Sequence, residues 1–460
     1  MGGAAATEGL AERAREMLDL ALRAGAGEAE VCAHSHTSLG AKVEKGDLGQ
    51  VTADEGSTLG LRVVLDGRLG FASTNQAHRE ALESAARDAV AIARLSPADE
   101  ANVLPEPAAV DDGARIGARV DPSLAGMAIE DVVERARELA GRTASSDARI
   151  SVDQASFSVV AGESMVVSSK GVDQRDRDAA LTMSLMALAT DGDETGGMDY
   201  RGTVVRDASE VEGELHRIAD EVASNCVGNL GATSGSSYSG PVLFAPSAFS
   251  SALLSPLLGS VSAIAVQRGR SALANRLGEV VAPGLSVVDD PTDLHAAGAC
   301  AFDREGLPAR RFPIVEGGTL RSFLHNAYSA AVDGVQSTGH ARGGARGVPG
   351  LGAHAIVVSA SDPDAPEDLD ALLAQLGEGL YIQRFSGTVD AASGDFSGTA
   401  KSARWVEGGR IVRPVQEVML SGNAFELFTR GAVLSRTQER LGGSSLVAWS
   451  LVDGVSVTAG

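Results

Sequence analysis

Aromatic residues make up only 4% of the 460 positions, lysine supplies four of the 39 basic residues, and cysteine occurs three times. Cys32, Cys226 and Cys300 are odd in number and far apart, which excludes a disulfide framework or a four-cysteine zinc site and points to a reducing cytoplasm. Basic charge is short overall. With 61 acidic residues the formal net charge is −22, so phosphate backbones and anionic lipid surfaces are repelled, and neither nucleic acid nor membrane is an expected partner. Scarce lysine beside 55 glycines reads as the codon bias of a GC-rich genome. Ser224 to Gln267 holds no charged residue, but Pro246, Pro256 and many serines break it into runs shorter than the roughly 20 residues a bilayer requires. It reads as a buried segment. Met1 to Arg13 has no apolar core of the length a secretory signal needs. A Walker loop, GxGxxG, GxSxG, CxxC, HExxH and HExxxH are all missing.

What is present is 44% hydrophobic residues, enough for a large core divided among domains. The expected class is α+β. Residues 1–104 form a first unit: a helix within Glu8 to Ala24, strands at Ala29 to His36, Leu39 to Glu44, Ser57 to Leu65 and Arg68 to Ser73, then a helix over Gln76 to Leu95. Asp66-Gly67 between two of these strands marks a hairpin, because a type I′ turn needs positive φ at both central positions. Residues 105–235 hold a linker, Pro105 to Pro122, and a strand-rich middle unit. Its helices fall at Ala128 to Ser145 and Val211 to Cys226, and its strands at Ile150 to Val160, Ser164 to Ser169 and Ala179 to Ala189. The Gly/Ser-rich stretch Gly228 to Gly240 then opens a large β-rich domain, 236–460, with helices at Ser247 to Gln267 and Pro366 to Gly377.

Four constellations could carry chemistry. His34 and His36, two apart on a strand, share a face as a metal pair would, but no third ligand is near in sequence. Asp289, Asp290, Asp293 and His295 gather carboxylates and an imidazole after a strand, suited either to a divalent cation or to an acidic turn. Ser337 to Gly344 offers glycines, His340 and Arg342 for gripping a carboxylate, or is a bare surface loop. Ser393-Gly394-Asp395-Phe396-Ser397-Gly398 is a turn with candidate oxygens at Asp395 and Ser397.

Taken in order, several short segments resemble the TldD/PmbA family, known as modulators of DNA gyrase. They are Val43-Glu44-Lys45-Gly46, Gly60-Leu61-Arg62-Val63, Asp66 to Ser73, Arg276-Leu277-Gly278-Glu279, Val287-Val288-Asp289-Asp290, His325 to Ala330, Ser337-Thr338-Gly339 and Ser393 to Ser397. The resemblance implies a cytoplasmic heterodimeric metallopeptidase, in which one subunit type holds zinc with HExxxH and a cysteine near its C-terminus. Here the helical slot reads Leu254-Ser255-Pro256-Leu257-Leu258-Gly259, and the cysteine's place reads Gly442-Gly443-Ser444-Ser445.

The resemblance therefore implies the TldE/PmbA-type subunit, without catalytic or metal residues of its own. Zinc is expected in a TldD-like partner, and unfolded peptide is expected to bind as an added strand. His340, Arg342, Asp395 and Ser397 are the peptide-binding candidates, with Arg346 and Arg404 as further exposed cations. Two other readings stand beside it: an independent peptide-tailoring enzyme built on Asp289, Asp290, Asp293 and His295, and a homodimeric peptide-binding protein.

Overall fold

The computed structural model describes residues 2–109 and 120–460, so 110–119, the middle of the expected linker, lie outside the described residues. Helix α1 (Gly2–Arg23) leads into β1 (Glu28–Glu44), β2 (Asp47–Leu65) and β3 (Arg68–Thr74), followed by α2 (Arg79–Leu95). Both hairpin turns use positive φ, at Lys45 and Gly46 (50° and 90°) and at Asp66 and Gly67 (50° and 71°), which is the mirror-image geometry that follows the strand twist. Helix Ile129–Ser146 precedes β4 (Ile150–Ser168), β5 (Asp173–Asp191) and β6 (Glu194–Val205), and helix Val211–Gly228 closes the unit.

The six strands form one antiparallel sheet, in the order β3-β2-β1-β4-β5-β6. The first and middle units thus join along β1 and β4. Two pairs of expected strands prove continuous. Nothing between His36 and Leu39 breaks β1, and Gly162 lets β4 run on past its neighbour, since a Cβ there would strike the Ser35 carbonyl. Strand β6, which the sequence reading did not separate from its surroundings, alternates buried and exposed residues weakly because Gly196, Gly197 and Gly202 interrupt it.

Period-two alternation sends the two faces of this sheet to different neighbours. Ala29, Val31 and Ala33 of β1 and Leu59, Leu61 and Val63 of β2 are buried beneath Leu10, Ala14 and Met17 of α1 and Leu82, Ala86 and Ala89 of α2. The intervening Glu30, Cys32 and Arg62 point the opposite way, against the C-terminal domain.

In that domain Ser445–Ala459, Tyr238–Phe244, Gly379–Val389, Asp395–Glu407 and Val418–Asn423 pair in this order, and the last pairs back onto the first. The strands close into a ring that continues outward through Ile356–Ala360 and Leu285–Asp289. The uncharged segment packs inside: Phe249, Leu253, Leu254 and Leu257 are buried with Phe244, Phe428 and Ile382. It is a broken helix, Pro246–Phe249, a wider π turn over Ser250–Leu254, Ser255–Ser260 and Ala263–Gln267, with prolines at two of its starts. No helix among the described residues is long and apolar enough to cross a membrane.

The sheet and the C-terminal domain meet at a buried ionic quartet. Arg62 donates to Glu30 (2.7 Å) and Glu305 (2.8 Å), and Arg304 donates to the other oxygen of Glu30 (2.8 Å). Burial opposes the charge on Glu30, but Arg62 and Arg304 outweigh it and hold its pKa below the ordinary value. Replacing Arg304 with Met leaves Glu30 with one cation and should cost about 3–5 kcal/mol in chemical denaturation. Arg87→Met, which removes an exposed pair to Glu83, should change stability by less than about 1 kcal/mol. Equal effects would show that the quartet is not what joins the two halves.

Candidate functional site

A cavity of about 330 Å³ lies beside this quartet, walled on one side by Cys32, His34 and Ser164 of the sheet and on the other by Cys300, Arg342 and His354. Its second wall is built by close backbone contacts. Gly298 lies against the carbonyl of His354, where any Cβ would collide, and the Cys300 N–H donates to the Pro291 carbonyl at 3.2 Å. Ala341–Arg342 and Gly350–Leu351 pair as a two-residue ladder that carries Arg342 toward His354. The N–H groups of His354 and Ala355 donate to the Asp289 carboxylate at 2.9 and 2.6 Å.

The partners of His354 fix its tautomer. Nε2 lies 3.0 Å from the Gly339 carbonyl and can only donate there, so Nδ1 is the acceptor. Arg342 donates to that Nδ1 at 2.9 Å, and the Cys300 Sγ lies 3.2 Å from the same atom. Burial, followed by weaker effects, pushes the His354 pKa down to about 4 despite the nearby Asp289. Across the cavity His34 Nε2 is 3.3 Å from the Cys32 Sγ, and burial and Arg304 take His34 down to about 4 while burial takes Cys32 up to about 11. Burial and the Glu305 charge raise Asp303 to about 7, although its oxygens accept from the N–H groups of Glu305, Leu307 and Ala341.

The residues singled out in the sequence separate into three places. His340 and Arg342 do adjoin this cavity, but His340 is buried and not on a bare surface loop: its Nε2 is 3.1 Å from Asp289 and its Nδ1 2.8 Å from Thr338. Asp395 and Ser397 are exposed at the start of their strand, where Asp395 accepts from Ser393 and Asn423. Of the acidic cluster, Asp289 turns inward to His354, while Asp290 accepts from Thr292, Asp293 from Arg440, and His295 contacts Glu210. These four do not converge. His36 pairs with Asp54 across the β1–β2 hairpin, while His34 contacts Cys32. Arg346 is exposed, but Arg404 is buried, because strand alternation turns it inward to donate to Asn229 at 2.7 Å. Sequence reasoning missed the Cys300–His354 contact: the two are 54 positions apart, and no local pattern joins them.

The zinc that the family resemblance associates with the helical slot finds no donors there. Leu254 and Leu257 are buried in the apolar core, and Gly442 to Ser445 form a tight turn in which Gly443 presses on Val204. Among the described residues no group of three or more His, Cys, Asp or Glu is placed to hold a metal ion. The slot does not fit a metal, and no step is derived through one.

A second feature is backbone alone. Strand β3 pairs with Leu59 to Leu65 of β2 only, which leaves the outer edge of Asp47 to Thr58 without a strand partner among the described residues. A cavity of about 740 Å³ opens at the end of this edge, lined by Leu10 and Arg13 of α1 and by Glu55, Gly56 and Gly162.

Models of three PmbA/TldA metallopeptidase domains match the chain: domain 1 at 29–93, the central domain at 122–230 and the C-terminal domain at 237–459. The chain belongs to the PmbA/TldD metallopeptidase family. It is 28% identical to the metalloprotease PmbA homolog of Haemophilus influenzae, over 88% of this chain and 86% of that one. It is 26% identical to metalloprotease PmbA of Escherichia coli O157:H7, over 90% and 89%. Its fold is similar to that of TldE from Thermococcus kodakarensis, with a TM-score of 0.87 at 21% identity over 97% of this chain and 100% of that one. The α+β class with a β-rich C-terminal domain is that of the family.

The depressed histidines set a pH dependence. Between pH 6.5 and 4 the unfolded chain binds a proton at His34 that the folded chain refuses, so stability falls as pH falls through that window. Asp303 works the other way, since the folded chain keeps its proton up to about pH 7. His34→Gln should therefore flatten the slope of unfolding free energy between pH 6 and 5 by about 1 kcal/mol per pH unit, read by chemical denaturation at several pH values. An unchanged slope would mean that His34 titrates normally in the folded chain.

Proposed function

We propose that this chain is the zinc-free, TldE/PmbA-like subunit of a cytoplasmic metallopeptidase complex, binding unfolded peptide as an added strand while a TldD-like partner supplies the zinc and the cut. The observation that carries the reading is the slot Leu254 to Gly259: where a zinc-binding helix would present imidazoles, this chain buries leucines in its core. Such a site could not be restored by one substitution.

Strand addition needs a row of backbone N–H and C=O groups with no neighbour, and the outer edge of β2 from Asp47 to Thr58 is one. Backbone hydrogen bonding is largely independent of side chains, which suits unfolded substrates of varied sequence. The cavity beside Gly56 would receive alternate side chains of the added strand. Arg342, exposed at the mouth of the smaller cavity, is suited to grip a peptide carboxylate, whereas Asp395 and Ser397 have the turn's own groups as partners.

The test is a native mass spectrum of the chain alone and mixed with a TldD-like subunit from the same genome. A metal-free chain that forms a one-to-one complex, with one zinc entering through the partner and peptide hydrolysis appearing only in the mixture, is the expected result. Zinc bound stoichiometrically to this chain alone, or a stable homodimer that ignores the partner, would overturn it. For the edge, an unfolded peptide should lose at least about tenfold in affinity when alternate backbone nitrogens are methylated, because each methyl removes a ladder hydrogen bond. Equal binding of both peptides would remove strand addition from the account.

A further inference from the structure

The free edge of β2 stops at a definite place. Strand β3 runs antiparallel to β2, from Arg68 opposite Leu65 to Thr74 opposite Leu59, and then leaves the sheet. The Gln76 N–H donates to the Thr74 Oγ1 at 3.0 Å and that hydroxyl donates to the Gln76 carbonyl at 3.3 Å, which turns the chain away toward α2. Had β3 continued, it would lie along Thr58 and Glu55 and on toward Asp47. A strand added there therefore abuts Thr74 at one end and runs free past the Lys45-Gly46 turn at the other. The blocked end opens into the 740 Å³ cavity, where Asn75 and Ala77 form part of the wall.

Two arguments decide which end of a peptide is blocked. Every pairing in the six-stranded sheet is antiparallel, and antiparallel ladders are slightly the more stable per residue. An antiparallel strand beside β2 has the direction of β3, so its first residue lies next to Thr74. The charges around the cavity agree. Glu55 lies on β2 itself, one strand spacing of about 4.8 Å from the added backbone, and is exposed with no ion-pair partner among the described residues. Glu163 of β4 and Arg177 of β5 are three and four spacings away, about 14 and 19 Å. Glu163 is held by Arg175, Asp178 by Arg206, His36 by Asp54 and Arg13 by Glu16. The nearest unpaired charge is thus negative, and it attracts an α-ammonium group and repels an α-carboxylate.

We infer that this edge selects unfolded peptides by their free N-terminus: the strand adds antiparallel to β2, its α-ammonium group pairs with Glu55, and its first side chain enters the cavity. The inference rests on the strand-addition reading and narrows its substrate class from any extended segment to a chain end. An internal segment of a longer chain must bend off the sheet at Thr74, whereas a free end stops there without a bend. Around the first side chain the cavity offers Leu10, Thr37, Ser57 and Ala161, which are apolar or small and leave the identity of that residue open.

The experiment measures, by fluorescence anisotropy at neutral pH, the binding to the full-length chain of an unfolded peptide of about ten residues, the length of the free edge, labelled on a side chain near its C-terminus. The peptide is used unmodified, N-acetylated, C-amidated and with alternate backbone nitrogens methylated. Acetylation should weaken binding about tenfold and amidation less than about twofold. Glu55→Gln should weaken the unmodified peptide about tenfold and the acetylated one less than about twofold, because the two changes remove the same contact. Equal weakening of both peptides by Glu55→Gln would overturn the role given to Glu55. If methylation weakens binding and acetylation does not, strand addition stands and selection of the N-terminus is overturned. Weakening by amidation in place of acetylation would overturn it too, by reversing the strand. Binding indifferent to methylation would remove strand addition itself, and this inference with it.

Discussion

Glu30 holds two arginines that arrive from opposite halves of the chain, and the placement of nearly everything of chemical interest depends on that contact. A carboxylate with no exposure to water is tolerable only with its full complement of cationic donors, so the far face of β1 and β2 must meet the loop that carries Arg304 and Glu305. A sheet shifted by one residue would present Ala29 and Val31 to that loop and drop Glu30 among the helices' leucines. The quartet thereby specifies register as well as contact. Once it is made, Cys32 and His34 necessarily face Cys300 and His354 across the same seam.

Much of this was legible as pattern and little as geometry. The Asp66-Gly67 hairpin, the helices flanking the sheet and the buried nature of the uncharged segment follow from turn chemistry, periodicity and the absence of charge, all local properties. The joining of β1 to β4 was not legible, because it pairs residues at least 110 positions apart and strand alternation alone does not name a partner. The buried state of His340 and Arg404 was hidden for a related reason: glycine-rich surroundings and positive charge suggest solvent, and only the tertiary partners Asp289 and Asn229 reverse that.

The candidate site shows the same division. Its two thiol–imidazole pairs come from three separate segments, and of the four residues only His34 stands out in the sequence. Asp289 illustrates how a motif that suggests chemistry can do positioning: its carboxylate collects the N–H groups of His354 and Ala355 and so sets the position of that histidine. By contrast the apolar character of Leu254 to Gly259 is plain from its side chains, and the structure buries Leu254 and Leu257 in the core.

The closed ring of strands in the C-terminal domain has a consequence for the order of assembly. Ser445–Ala459 pairs with Tyr238–Phe244, some two hundred residues earlier, and also with Val418–Asn423, so the ring cannot shut until that last strand has left the ribosome. Until then Tyr238–Phe244 and Ile356–Ala360 present bare, apolar edges. So large a sequence separation makes closure slow. The interval in which this chain is most exposed to misassociation is thus built into the topology, and it ends only with the placement of a single strand.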